Sequence, residues 1–271
     1  MTPYYQTESG TLYNGDCVDI MKGFEDNSID CCVTSPPYDN LRNYKGFSFD
    51  FENTAKELYR IIKKGGIVVW VVGDATIKGS ETGTSFKQAL YFKEIGFNLH
   101  DTMIYQKNGT PFPEINRYYQ CFEYMFILSK GKPRTTNLLS DRINKCYGRK
   151  SHMESYRQKD GSLKKGKSKH IYNEYGIRYN VWKYEIGWQK SYKDDFLRGH
   201  PAIFPYKLTE DHILSWSNEN DIILDPFCGS GTTAWAAEKL NRKWIGIELT
   251  PEYCEIIKKR LDSQEVKLPL K

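Results

Sequence analysis

The sequence predicts an α/β fold in which a sheet is covered by helices on both faces, and three observations carry that expectation. Short apolar runs alternate with amphipathic stretches of helical period over residues 29–128 and again over 206–248. Two of these runs end in loops suited to the carbonyl-terminal edge of a parallel sheet, TSPPY at 34–38 and DPFCGSGTT at 225–233. Between the two halves lies a polar, basic block with little helical period, which reads as an insertion into one sheet.

In chain order, IDCCV (29–33) is an apolar run bounded by turn residues, as a strand buried on both faces requires. From Asp50 to Lys64, Phe51, Ala55, Leu58 and Ile62 recur at helical spacing until Gly65 and Gly66 stop the pattern. IVVWVV (67–72) is a second strand, 85–96 a helix, and 99–106 and 121–128 two further strands. After the irregular block the rhythm resumes, with a helix over Tyr206–Ser217, a strand at 221–224, a helix over Thr232–Leu240 and a strand at 243–248. The division expected is 1–131, 132–198 and 199–271, the outer two being halves of one domain.

The chain has 271 residues, of which 39% are hydrophobic and 27% charged, the balance of a globular protein. No apolar run nears the roughly 20 residues that a bilayer span needs, and the first residues, MTPYYQTESG, do not form a signal peptide, so a cytoplasmic protein with no membrane partner is expected. Seven cysteines form no CxxC pair, HExxH is absent and the five histidines are scattered. Reduced, mostly buried thiols and no metal site are expected. Residues 142–198 hold 15 Lys and Arg against 6 Asp and Glu, in a chain of net charge +5. The surplus points to a polyanionic partner.

In DIILDPFCGSGTTAWAAEKL a strand leads through a glycine loop into a helix. Gly229 and Gly231 allow a tight turn and close approach of a ligand, N–H groups at the helix start can hold a polar group, and Glu248 ends the next strand where its carboxylate could accept both hydroxyls of a ribose. An adenosine site follows. Gly229, Gly231 and Ala234 also satisfy the dinucleotide pattern G-x-G-x-x-A, but Asp225 directly after the strand would repel a pyrophosphate and suits a cationic ligand, as S-adenosylmethionine (SAM) is. GSLKKGKS (161–168) matches the phosphate-loop pattern, yet its flanks are neither strand nor helix. A basic loop touching a phosphate backbone is the better reading.

Ser35-Pro36-Pro37 is a stiff segment at a strand end, because proline fixes φ and biases its predecessor toward extended geometry. Its carbonyls meet few competing N–H donors, Ser35 adds a hydroxyl and Tyr38 a flat face for stacking. Acceptors around a flat ring suit an exocyclic amine, whose lone pair is freed when its hydrogens are gripped. Positioning and electrostatics then carry methyl transfer without a strong base.

TSPPY and DPFCGSGTT together resemble the amino-methylating DNA methyltransferases of restriction-modification systems, and the order, catalytic motif first, is similar to that of their beta class. The resemblance implies a Rossmann-like SAM-dependent methyltransferase sheet with circularly permuted motifs and an inserted target-recognition region at 132–198. It makes Ser35, Pro36, Pro37 and Tyr38 catalytic. LYNGDC (12–17) looks like the segment whose Asp16, with Cys17 beside it, meets the cofactor adenine, and GHPAIFPYKL (199–208) like the one that closes over methionine through His200, Pro201 and Phe204. Asp225, Pro226, Phe227, Gly229, Ser230, Gly231, Thr232 and Glu248 complete the expected cofactor contacts. Ser35 at the first motif position implies N4 of cytosine, with N6 of adenine as the alternative. C5 methylation needs a thiolate, and none of the eleven prolines precedes a cysteine.

The expected substrate is double-stranded DNA with the target base flipped out of the stack. Arg42, Lys164, Lys165, Lys167 and Lys169 are the expected DNA contacts. A homodimer and a cognate restriction endonuclease are further partners that the resemblance implies. A catalytically silent SAM or nucleic-acid binding module and an NAD-dependent oxidoreductase are the competing classes.

Overall fold

The computed structural model describes residues 2–37, 49–108, 115–150, 155–165, 171–185 and 204–263. Along the chain run β1 (Tyr5–Gln6), β2 (Gly10–Asn14), α1 (Cys17–Met21), β3 (Ile29–Thr34), α2 (Phe51–Ile61) and β4 (Ile62–Val72). The hairpin β5 (Thr76–Ile77) and β6 (Ser80–Glu81) precedes α3 (Thr84–Glu94), β7 (Asn98–Lys107) and β8 (Phe122–Ser129). Four short strands follow, β9 (Arg142–Ile143), β10 (Ser155–Arg157), β11 (Leu163–Lys165) and β12 (Tyr175–Gly176), and then β13 (Val181–Tyr184). The chain closes with α4 (Tyr206–Trp216), β14 (Ile222–Asp225), α5 (Thr232–Lys239), β15 (Lys243–Glu248) and α6 (Pro251–Asp262).

Nine strands form one sheet in the order β1-β2-β15-β14-β3-β4-β8-β7-β13. The five strands from β2 to β4 are parallel, and β8 runs antiparallel to both β4 and β7. β3 is buried along its length, as the unbroken run IDCCV requires of a strand covered on both faces. The chain leaves β3 through α2 toward β4 and leaves β14 through α5 toward β15 on the opposite side. The sheet therefore reverses direction between β3 and β14, which pair with Ile223 opposite Cys31 and Leu224 opposite Cys32. Open α/β sheets place their ligand crevice at the carboxyl ends of two such strands.

The predicted alternation of strand and helix is present, with shifts at three places. α2 stops at Ile61, earlier than its apolar period suggested, because Ile62 already turns extended and β4 begins there. Gly65 carries a φ of 84° within that strand, and a Cβ on Gly66 would lie 2.7 Å from the Asp30 carbonyl. β13, inside the basic block by sequence, joins the main sheet parallel to β7, with Trp182 and Tyr184 buried. The short elements β1, β2 and α1 and the helix α6 were not legible as elements.

The chain divides into two compact units, residues 1–137 with 180–271 and residues 138–179. The smaller unit is narrower than the 132–198 block read from composition. It holds the hairpin of β10 and β11 and the antiparallel pair of β9 and β12. Five of the seven cysteines are buried, Cys121 and Cys146 being exposed, and all seven are free thiols. Among the described residues no group of three or more His, Cys, Asp or Glu side chains could hold a metal ion, and no helix is long and apolar enough to cross a membrane.

Candidate active site

Thr34 is the last residue of β3, and its buried hydroxyl donates to Asp225 Oδ1 at 2.6 Å. Asp225 is the last residue of β14, so this single bond ties the double-proline motif to the glycine loop across 191 residues of sequence. The same Asp225 oxygen accepts from the Phe227 N–H at 3.1 Å, which turns the chain into the loop. On the other side, the Thr233 hydroxyl at the start of α5 donates to the Val33 carbonyl at 3.2 Å. Burial drives the Asp225 carboxyl above the ordinary aspartate range, while the hydrogen bonds from Thr34, Thr233 and Phe227 hold it down. Ser35 and Pro37 follow Thr34 half-buried and Pro36 buried, at the carboxyl end of the central strand.

The glycine loop is built as its sequence suggested, with Gly229 and Gly231 at φ 54° and 77°. A Cβ on Gly231 would sit 3.0 Å from the Ile257 side chain, so glycine answers both the backbone angle and the packing of α6. Glu248 ends β15 and reaches back: Oε2 accepts from the Gly229 N–H at 2.8 Å and Oε1 from the Thr250 N–H at 2.8 Å. Burial pushes this carboxyl from the ordinary 4.5 up to about 6, against the pull of those two backbone donors.

The N-terminal motif arrives at the same edge. Gly15 N–H donates to the Glu248 carbonyl at 3.0 Å, and Asn14 Nδ2 donates to the carbonyls of Glu248 and Leu249 at 2.9 and 3.0 Å. Asp16 caps α1 through the N–H groups of Val18 and Asp19, at 2.8 and 3.2 Å. The Cys17 thiol is buried 3.6 Å from the Thr54 hydroxyl, facing the core. Below the loops, Phe49 and Trp70 meet Phe227 edge-on, at centroid distances of 5.1 and 6.2 Å.

Residues that the sequence reading did not single out hold this edge from behind. Arg260, 2% exposed on α6, donates through Nη1 to the Ser230 carbonyl and the Thr232 hydroxyl, both at 2.9 Å, and lies 5.0 Å from the Trp235 ring. Ser230 and Thr232 are themselves buried. Both thereby support the loop through Arg260. Asn14 and Arg260 carry no pattern that points to the loop; only α6's helical spacing of Ile257 and Arg260 hints that they belong together. Phe204 and Pro226 are described, whereas Tyr38, Arg42, Lys167, Lys169, His200 and Pro201 lie outside the described residues. Lys164 and Lys165 are exposed on β11 of the smaller unit.

A family model described as a DNA methylase matches residues 29–259, spanning both motifs and the sheet between them. The chain belongs to the DNA methylase family. This DNA methylase is 62% identical over 237 residues, 87% of the chain and 89% of the relative, to the orphan methyltransferase M.BamHII of Bacillus amyloliquefaciens. Among solved structures, the cytosine-N4-specific PvuII DNA methyltransferase has its fold, with a TM-score of 0.73 at 22% identity over 98% of this chain and 90% of that one. The SAM complex of M1.HpyAVI matches at a TM-score of 0.60 and 25% identity, over 93% of this chain and 99% of that one.

Proposed function

We propose that this DNA methylase transfers a methyl group from SAM to the exocyclic amino group of a base flipped out of duplex DNA, with N4 of cytosine as the target. The observation that carries the reading is the Thr34 to Asp225 hydrogen bond, which sets Ser35 beside the glycine loop. SAM suits the residues present: the two Glu248 oxygens each accept one backbone N–H and keep lone pairs for a ribose, and Gly229, at φ 54°, turns the loop tightly against that carboxylate. When bound, SAM supplies an electrophilic methyl group. The chain's own part is to hold the base: Ser35 and the carbonyls of the double proline grip the amine hydrogens, and Tyr38 stacks on the ring. Ser35 in place of an acid is what favours cytosine. Mass spectrometry of nucleosides from DNA incubated with the protein and labelled SAM should show N4-methylcytosine. Labelled N6-methyladenine instead would move the target to adenine, and no label would leave only a binding module.

Arg260→Met is expected to raise the KM for SAM about tenfold with kcat little changed, since it frees the back of the glycine loop. Arg260→Lys should recover part of that affinity. Glu248 gives a pH dependence of known sign. Its folded-state pKa, about 6, lies above the ordinary 4.5, so the folded chain binds the proton more tightly and loses up to about 2 kcal/mol of stability as pH rises from below 4.5 to above 6. Ribose hydroxyls donate to the ionised form. Affinity for SAM should therefore fall as pH drops through about 6, and calorimetric titration between pH 7.5 and 5 would show it.

The smaller unit, residues 138–179, is assigned the reading of the target sequence, because it carries exposed Lys164 and Lys165 with Tyr156 and Tyr175. Reversing the charge of Lys164 and Lys165 should weaken DNA binding and flatten its salt dependence by about 0.9 in slope for each phosphate no longer neutralised. Similarity to a methyltransferase named as an orphan favours activity without a cognate endonuclease. The homodimer implied by the resemblance would appear in sedimentation velocity.

A further inference from the structure

Two exposed segments stand at the edge that carries Ser35. The hairpin of β5 and β6 follows the carboxyl end of β4, and residues 115–121 lead into β8, whose Tyr124 pairs with Val72 at the end of β4. β4 lies between β3 and β8, with Thr34 opposite Trp70 and Trp70 opposite Phe126, so the start of β8 stands two strands across and four residues beyond the end of β3, about 17 Å away. Arg117 joins the two segments: Nη1 donates to Thr76 Oγ1 at 3.1 Å and Nη2 to the Gly79 carbonyl at 2.9 Å. The hairpin is anchored in turn by Asp74, which accepts from the Thr82 hydroxyl at 3.3 Å and from the Ser85 N–H at 2.9 Å.

On this support Ile115 and Tyr118 are fully exposed, at 102% and 100%, with Ile77 and Tyr119 about half exposed. Folding gains nothing from a solvated isoleucine and tyrosine, and an apolar cluster left at a site's rim marks an interaction surface. Lys78 and Arg117 bring positive charge to it, against the exposed carboxylate of Glu81.

We propose that Tyr118, flanked by Ile115 and held in place through Arg117, is the wedge that enters double-stranded DNA where the target base leaves it. The inference builds on the base-extrusion reading above. Extrusion leaves a gap about 3.4 Å thick between neighbouring base pairs, which a flat ring fills while stacking on both faces. Stacking there offsets part of the cost of unpairing. Arg117 is a positioning residue, since its guanidinium is engaged with the hairpin.

The test uses the full-length protein and two duplexes carrying the sequence that it methylates, one fully paired and one with the target base mismatched. Tyr118→Ala should lower kcat/KM on the paired duplex by roughly 10- to 100-fold, the size of one base–aromatic stack, and leave the mismatched duplex nearly unaffected, because its base is already loosened. Tyr118→Phe should keep most of the activity. Unchanged rates on the paired duplex, or an equal loss on both, would overturn the wedge. Pyrrolocytosine, a fluorescent base that still pairs with guanine, at the target position separates this from the parent reading: no fluorescence rise with the wild-type protein would sink base extrusion itself, whereas an equal rise with wild type and Tyr118→Ala would sink only the wedge.

Discussion

Replacing Ser35 by alanine is expected to cut kcat about 10²- to 10³-fold while the KM for SAM moves less than about twofold. The side chain follows Thr34 at the carboxyl end of β3, half-buried, where the proposed function has it grip the base. On the proposed function, losing one acceptor would let the amine keep its delocalised lone pair, which would penalise the transition state and not cofactor binding. Steady-state kinetics with SAM and DNA varied in turn decide it; a large rise in KM for SAM with kcat intact would assign Ser35 to the wrong partner.

Asp225→Ala is expected to do the opposite, lowering affinity for SAM more than about tenfold, and to unsettle the fold as well. The substitution leaves the Thr34 hydroxyl and the Phe227 N–H without their acceptor in a buried site, a cost of about 2 kcal/mol. In a domain of this size that is roughly 4–8 °C in Tm. Asp225→Asn keeps an acceptor oxygen for both donors and removes a buried charge that desolvation disfavours, so its Tm should hold near wild type. SAM affinity measured beside thermal melts separates the two contributions. An alanine variant with wild-type affinity would remove Asp225 from the cofactor site.

Much of the fold was legible because its signals are local. IDCCV, IVVWVV and the stop at Gly65 and Gly66 announce strands and a helix end from neighbouring residues alone, and the motifs at 34–38 and 225–233 each declare a strand-to-loop junction. The misread boundaries were those where a distant strand competes with local period. Residues 62–64 continue the helical pattern of α2 yet are drawn into β4, and Val181–Tyr184 sits in basic, aromatic text yet pairs with β7.

By itself the sequence determined the alternating strand and helix order, the double-proline and glycine-loop motifs at strand ends, and the acidic end of β15, because each is written in residues a few positions apart. Only the tertiary structure decided that Thr34 bonds Asp225 across 191 residues, that Asn14 latches onto the end of β15, and that Arg260 braces the glycine loop from α6. Those partners are chosen by which buried donors and acceptors the packed sheet and helices leave facing one another, and a buried polar group is costly until such a partner is found.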